Sequence, residues 1–142
     1  MRSILSLLLL APLAALGQAA GLAGLWQTFN DAGQPDGLVR IVESGGGYDA
    51  IVVAVLSPPA PSSQPLCELC EGELRNRPVV GMTIARGLQR GEDGWSGRML
   101  DPDDGRVYRC TLRLTEGGRR LEVRGYIGLP LFGRTQIWTR RE

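Results

Sequence analysis

From Gly24 onward, the apolar positions fall in short runs cut by Gly, Pro, Asn and Asp. Runs of this kind, rich in β-branched residues and bounded by breakers, read as strands. They occupy 24–29, 38–43, 48–56, 79–86, 94–100, 106–114, 121–127 and 135–140. The sixth alternates most clearly. Tyr108, Cys110, Leu112 and Leu114 share one face and Val107, Arg109, Thr111 and Arg113 the other, which is the signature of a half-buried strand. Turn residues separate the runs, and Glu116-Gly117-Gly118-Arg119 reads as a tight hairpin connection. Beyond the first twenty residues no long segment shows a helical period. About eight strands joined mostly by short turns predict an all-β fold, a single up-and-down antiparallel barrel; a two-sheet sandwich is the alternative. The interior of such a barrel accommodates its own side chains or one small ligand.

Two stretches break this rhythm. Residues 4–16 are almost continuously apolar, follow the positive Arg2, and lead to Gly17-Gln18-Ala19. This is the pattern of a secretory signal peptide cleaved after Ala19, too short for a stable membrane anchor. No Cys follows the run to carry a lipid. Export to a periplasm or beyond is therefore expected, with one domain of about 120 residues left after cleavage. The second stretch is the loop 57–78, whose prolines lack the donor a sheet ladder needs.

Composition narrows the chemistry. Without Arg2 the sixteen basic residues become fifteen, matching the fifteen acidic ones. A neutral chain offers no electrostatic case for nucleic acid or an anionic membrane. The absence of His removes the usual general base, the Ser-His and Cys-His pairs and the commonest metal ligand. Cys67-x-x-Cys70 lacks the second half of a zinc site and the context of a thioredoxin-like couple. It reads as a local disulfide stapling the Pro-rich loop, with a bridge from either Cys to Cys110 as the alternative. Cys110, on an apolar strand face, reads as a small buried hydrophobe. Asp101, Asp103 and Asp104 read as a turn before they read as a calcium loop. No cofactor or metal is expected.

Several pieces together resemble a known family. They are Gly24-Leu25-Trp26, Cys67-Glu68-Leu69-Cys70, Pro78-Val79-Val80-Gly81, Asp101-Pro102 with Gly105-Arg106-Val107-Tyr108, and above all Leu121-Glu122-Val123-Arg124-Gly125-Tyr126-Ile127-Gly128 followed by Gly133-Arg134-Thr135-Gln136-Ile137-Trp138. The chain resembles the domain-of-unknown-function 2147 family of small secreted bacterial proteins, and the resemblance implies a lipocalin-like barrel without an assigned activity. Lipocalins carry Gly-x-Trp on the first strand and a basic residue near the end of the last. By that analogy Gly24 and Trp26 are structural, Trp26 plugs the barrel floor, and Arg140 or Arg141 stacks on it. Trp138 in the tail motif is also assigned a structural role.

The candidate ligand residues come from the same tail. Most of Arg109, Arg113, Arg124 and Arg134 are expected to face water, but Arg124 beside Tyr126, with Arg134 across the hairpin, forms the best candidate for holding a polar head group. Leu129 and Phe132, in the apolar loop 128–133, line either the lip of a ligand mouth or a partner contact; otherwise they fold back to cap the barrel. Three functions follow in order. The first is an exported barrel binding a small apolar or amphipathic ligand, such as a fatty acid or other lipid. The second is an envelope module with a filled barrel whose loops bind another protein. A carboxylate- or thiol-based enzyme comes last, because no catalytic constellation is visible.

Overall fold

The computed structural model describes residues 21–58 and 63–142. The expected leader at 1–19 and positions 59–62 of the Pro-rich loop lie outside those residues. Eight strands, β1 (Gly24–Phe29), β2 (Pro35–Ser44), β3 (Gly47–Val55), β4 (Thr83–Gly91), β5 (Gly94–Asp101), β6 (Arg106–Thr115), β7 (Arg120–Tyr126) and β8 (Arg134–Arg140), pair in chain order and close into a barrel. Every pairing is antiparallel. The sandwich alternative is excluded, because β8 returns to β1 through Trp26↔Arg140 and Gln27↔Thr139.

Alternation along the strands decides what the barrel contains. On β2, Val39 and Ile41 are buried, and on β7 so are Leu121 and Val123. On β6, Cys110 and Leu112 are buried while Arg109, Thr111 and Arg113 are exposed, as a period of two requires. The β6–β7 connection is a short 3-10 turn, η2 (Glu116–Gly118), at the expected hairpin.

The fourth strand departs from expectation. It was expected at 79–86 and runs instead over Thr83–Gly91. The β-branched pair Val79-Val80 enters a turn: Met82 N–H donates to the Val79 carbonyl at 3.1 Å, and Gly81 N–H to Val52 O at 2.7 Å. At the other end Gly87, with φ +62°, does not terminate the strand; it sits in a bulge where the register shifts between Ala85 and Gln89.

In an up-and-down barrel the connections alternate between the two ends. One end holds the β2–β3, β4–β5 and β6–β7 turns and is packed solid. Leu22, Trp26, Leu88, Leu112 and Leu121 are fully buried there. Trp26 Nε1–H donates to the Leu22 carbonyl at 3.0 Å, and the Arg140 guanidinium lies 4.3 Å from the Trp26 ring centroid. Between the two analogues offered by sequence, Arg140 holds the position. It also donates to the carbonyls of Gly118, Ala23 and Gly21 at 2.8, 2.9 and 2.6 Å. Burial pulls its guanidinium below the ordinary value, as expected for a cation seated on a ring and among carbonyls. A Cβ at Gly24 would stand 2.5 Å from Arg140 Nη1, so the glycine makes room for that cation.

Candidate functional site

The opposite end of the barrel receives the β1–β2, β3–β4, β5–β6 and β7–β8 connections. It is not filled. A cavity of about 380 Å³ enters between the strands there. Its floor is apolar, formed by Val39, Val52, Ile84, Met99, Val123 and Trp138. These side chains lie on six different strands and are the inward members of the alternation that also builds the solid end. Trp138 is 3% exposed and donates its indole N–H to Gln136 Oε1 at 3.3 Å, which orients both on the cavity wall.

The mouth is polar. Thr28, Asp36, Asp101, Asp103, Arg134 and Gln136 reach it from β1, β2, the β5–β6 turn and β8. Thr28 Oγ1 donates to the Asp36 carboxylate at 2.5 Å, and Asp101 accepts the backbone N–H of Asp103 at 2.9 Å, which shapes the turn. Burial pushes the Asp101 and Asp103 carboxyls above the ordinary value. Neighbouring carboxylates push the same way, Asp104 and Asp103 on Asp101 and Asp36, Asp104 and Asp31 on Asp103. Tyr108 donates its hydroxyl to the Asp104 carboxylate, and that bond, then burial, raises its phenol. Among the described residues no group of three or more Cys, Asp or Glu side chains converges to hold a metal.

The described part of the long loop from Pro65 onward is fixed against this mouth. Cys67 and Cys70 form a disulfide, which settles the pairing in favour of the local bridge. Cys67 N–H donates to Arg77 O at 2.8 Å and Val79 N–H to Pro65 O at 2.9 Å, pinning the loop's two arms together. The Cys67 sulfur packs 3.6 Å from the carbonyl of Pro102, a residue of the mouth.

Cys110 is free, buried and part of the cavity wall. Burial pushes its thiol up to about 11. Since the thiolate is the reactive form, its fraction at pH 8 is lowered roughly 100-fold against an ordinary cysteine. The expected result with a thiol-disulfide reagent is one thiol per chain that reacts promptly in denaturant and about 100-fold more slowly in the native protein. Equal rates would show that Cys110 is open to solvent.

Of the candidate ligand residues Arg124, Tyr126, Arg134, Leu129 and Phe132, the structure brings only Arg134 to the cavity. Arg134 lines the mouth, as an inward position two residues from Gln136 and four from Trp138. Arg124 and Tyr126 do not. Both alternate with the inward Leu121, Val123 and Gly125 and so lie on the outer face, where Arg124 donates to Thr135 Oγ1 at 3.1 Å and to Pro130 O at 2.8 Å. Arg124 therefore holds the β7–β8 connection. That connection contains a short 3-10 turn, η3 (Pro130–Phe132), and it does not cap the barrel: Leu129, Leu131 and Phe132 are 65%, 81% and 73% exposed. Leu129 and Phe132 stand outside the cavity wall, on the mouth side. Sequence reasoning passes over Asp36 and reads Asp101 and Asp103 as a turn rather than as part of a cavity rim. Chain order alone could have found them, since alternate turns of an up-and-down barrel share one end.

Comparison with known proteins agrees with this architecture. No curated protein matches the chain. A solved structure described as "Protein HP1028 from the human pathogen Helicobacter pylori belongs to the lipocalin family" is similar with a TM-score of 0.73 at 23% identity, over 87% of this chain and 84% of that one. Residues 24–140 match the family model DUF2147, described as an uncharacterized protein conserved in bacteria. The match spans the whole barrel, and the chain belongs to that family.

Proposed function

We propose that this protein is a small-molecule binder that takes up an apolar or amphipathic ligand in the open end of its barrel. The observation that carries this reading is the cavity of about 380 Å³, apolar at its floor and polar only at its mouth. Ligand sites have this construction: burial supplies the affinity and a few polar groups at the rim set orientation. Each methylene removed from water contributes about 0.8 kcal/mol, so an acyl-like tail suits the floor. Binding rather than catalysis is the function proposed. The hydroxyls at the rim, Thr28 on Asp36 and Tyr108 on Asp104, are engaged in hydrogen bonds that shape the mouth. The Cys67–Cys70 disulfide supports work in an oxidising compartment after export. The exposed Leu129, Leu131 and Phe132 favour a second reading, in which the same end also touches a protein partner.

The test uses phenylnaphthylamine, an uncharged dye that brightens in apolar surroundings. The protein without residues 1–19 is expected to bind it saturably, with one dye per chain. Val52→Phe and Val123→Phe, which fill the cavity floor, should each weaken binding by about tenfold while the far-UV spectrum stays that of a barrel. Binding unaffected by both substitutions would place the dye elsewhere and overturn the reading.

A further inference from the structure

The charge at the cavity mouth is one-sided. Of the residues lining the cavity, Asp36, Asp101 and Asp103 carry carboxylates, against the single guanidinium of Arg134. That guanidinium stands 3.8 Å from the carboxylate of Asp31, outside the lining. Among the described residues, none of the three lining carboxylates forms an ion pair. Asp104 adds a further negative charge close to both Asp101 and Asp103. Among the described residues no three acidic side chains converge to hold a metal ion, and these carboxylates line an apolar cavity. Acidic side chains joined to an apolar floor suit an organic cation whose body lies on that floor.

We propose that the ligand has a cationic head, an amine or guanidine borne on an apolar body, held by Asp36, Asp101 and Asp103 above the Val52–Val123 floor. This rests on the cavity being the ligand site, and it sharpens that reading against the fatty-acid expectation. A carboxylate head would add one more negative charge to a partly desolvated acidic ring, where repulsion is least screened. A cation would relieve the repulsion already present there.

Three molecules with one tail and different heads separate the claims: octylamine, octanol and octanoate, each titrated against bound phenylnaphthylamine at neutral pH and low salt. Octylamine is expected to displace the dye at a concentration at least about tenfold lower than octanoate, with octanol between them. Raising the salt should shrink the octylamine–octanoate gap and leave octanol unchanged. The Asp36→Asn, Asp103→Asn double variant should close most of the gap, again without moving octanol. The salt series needs no variant, so a misfolded double mutant would not remove the test. If octanoate equals or outdoes octylamine while octanol still displaces the dye, the cavity stands and the charge inference falls. If none of the three displaces the dye, both fall.

Discussion

Trp26→Ala is expected to lower the unfolding free energy by about 4 kcal/mol, a large share of what holds a domain of this size. Three losses combine. The indole is fully buried at the solid end, so its removal leaves a cavity between Leu22 and the strand faces. The Leu22 carbonyl loses the indole N–H. Arg140 loses the ring it lies on, worth about 1 kcal/mol beyond burial. Urea unfolding followed by far-UV circular dichroism measures the change without depending on the missing fluorophore. Arg140→Ala should itself cost about 2 kcal/mol, because several carbonyls lose a charged donor at once. The double variant should cost less than the sum by about 1 kcal/mol, the signature of the stacking pair. A Trp26→Ala loss below about 1 kcal/mol would show that Trp26 is not the plug.

Gly105→Ala is the second large effect, and it acts at the opposite end. Gly105 has φ +72°, and a Cβ there would meet Leu69 O at 1.9 Å and Cys70 N at 2.7 Å. Those are backbone atoms of a loop closed by the Cys67–Cys70 disulfide, so neither side yields readily. The expected cost is about 3 kcal/mol, roughly 1 from the left-handed backbone and the rest from the collision. Gly117→Ala is the control: its φ is +67° with nothing within 4 Å of the added Cβ, so it should cost only about 1 kcal/mol. Because the β5–β6 turn also presents Asp101, Pro102 and Asp103 to the cavity, Gly105→Ala should weaken dye binding as well, and Gly117→Ala should not. Equal costs for the two substitutions would refute the contact between turn and loop.

Much of this architecture is legible in the residues. The alternation from Tyr108 to Leu114 specifies an inward and an outward face, and the structure buries Cys110 and Leu112 accordingly. Gly24, Trp26 and the basic residue near the end of the last strand are legible only through the resemblance to lipocalins; the structure supplies the physical reason, a glycine that leaves room for a cation lying on a ring. The fourth strand was misplaced because Val79 and Val80 have strand propensity but are spent in a turn pinned by β3, whereas Gly87 looks like a terminator and is a bulge. Tertiary pairing overrode local preference in both cases. Sequence points to the tail for the site, because Arg124 and Tyr126 are conspicuous there. Position parity sends both to the outer face, and only Arg134 shares the parity of Trp138. The acidic rim went unnoticed because Asp36, Asp101 and Asp103 each sit in a stretch that already reads as a turn. Their common role exists only once alternate turns are gathered at one end.

The ring closes where the first and last ribbons meet over two residue pairs, the shortest register in the molecule. Backbone bonds of Leu25 with Arg141 and Glu142 extend this ladder, and the Arg140 side chain bonds across it to Ala23 and Gly21. A barrel opened along this seam would be a sheet with two bare borders, each a template for a neighbouring molecule's strand. Closure along this seam keeps those borders paired, a duty separate from the stability it adds.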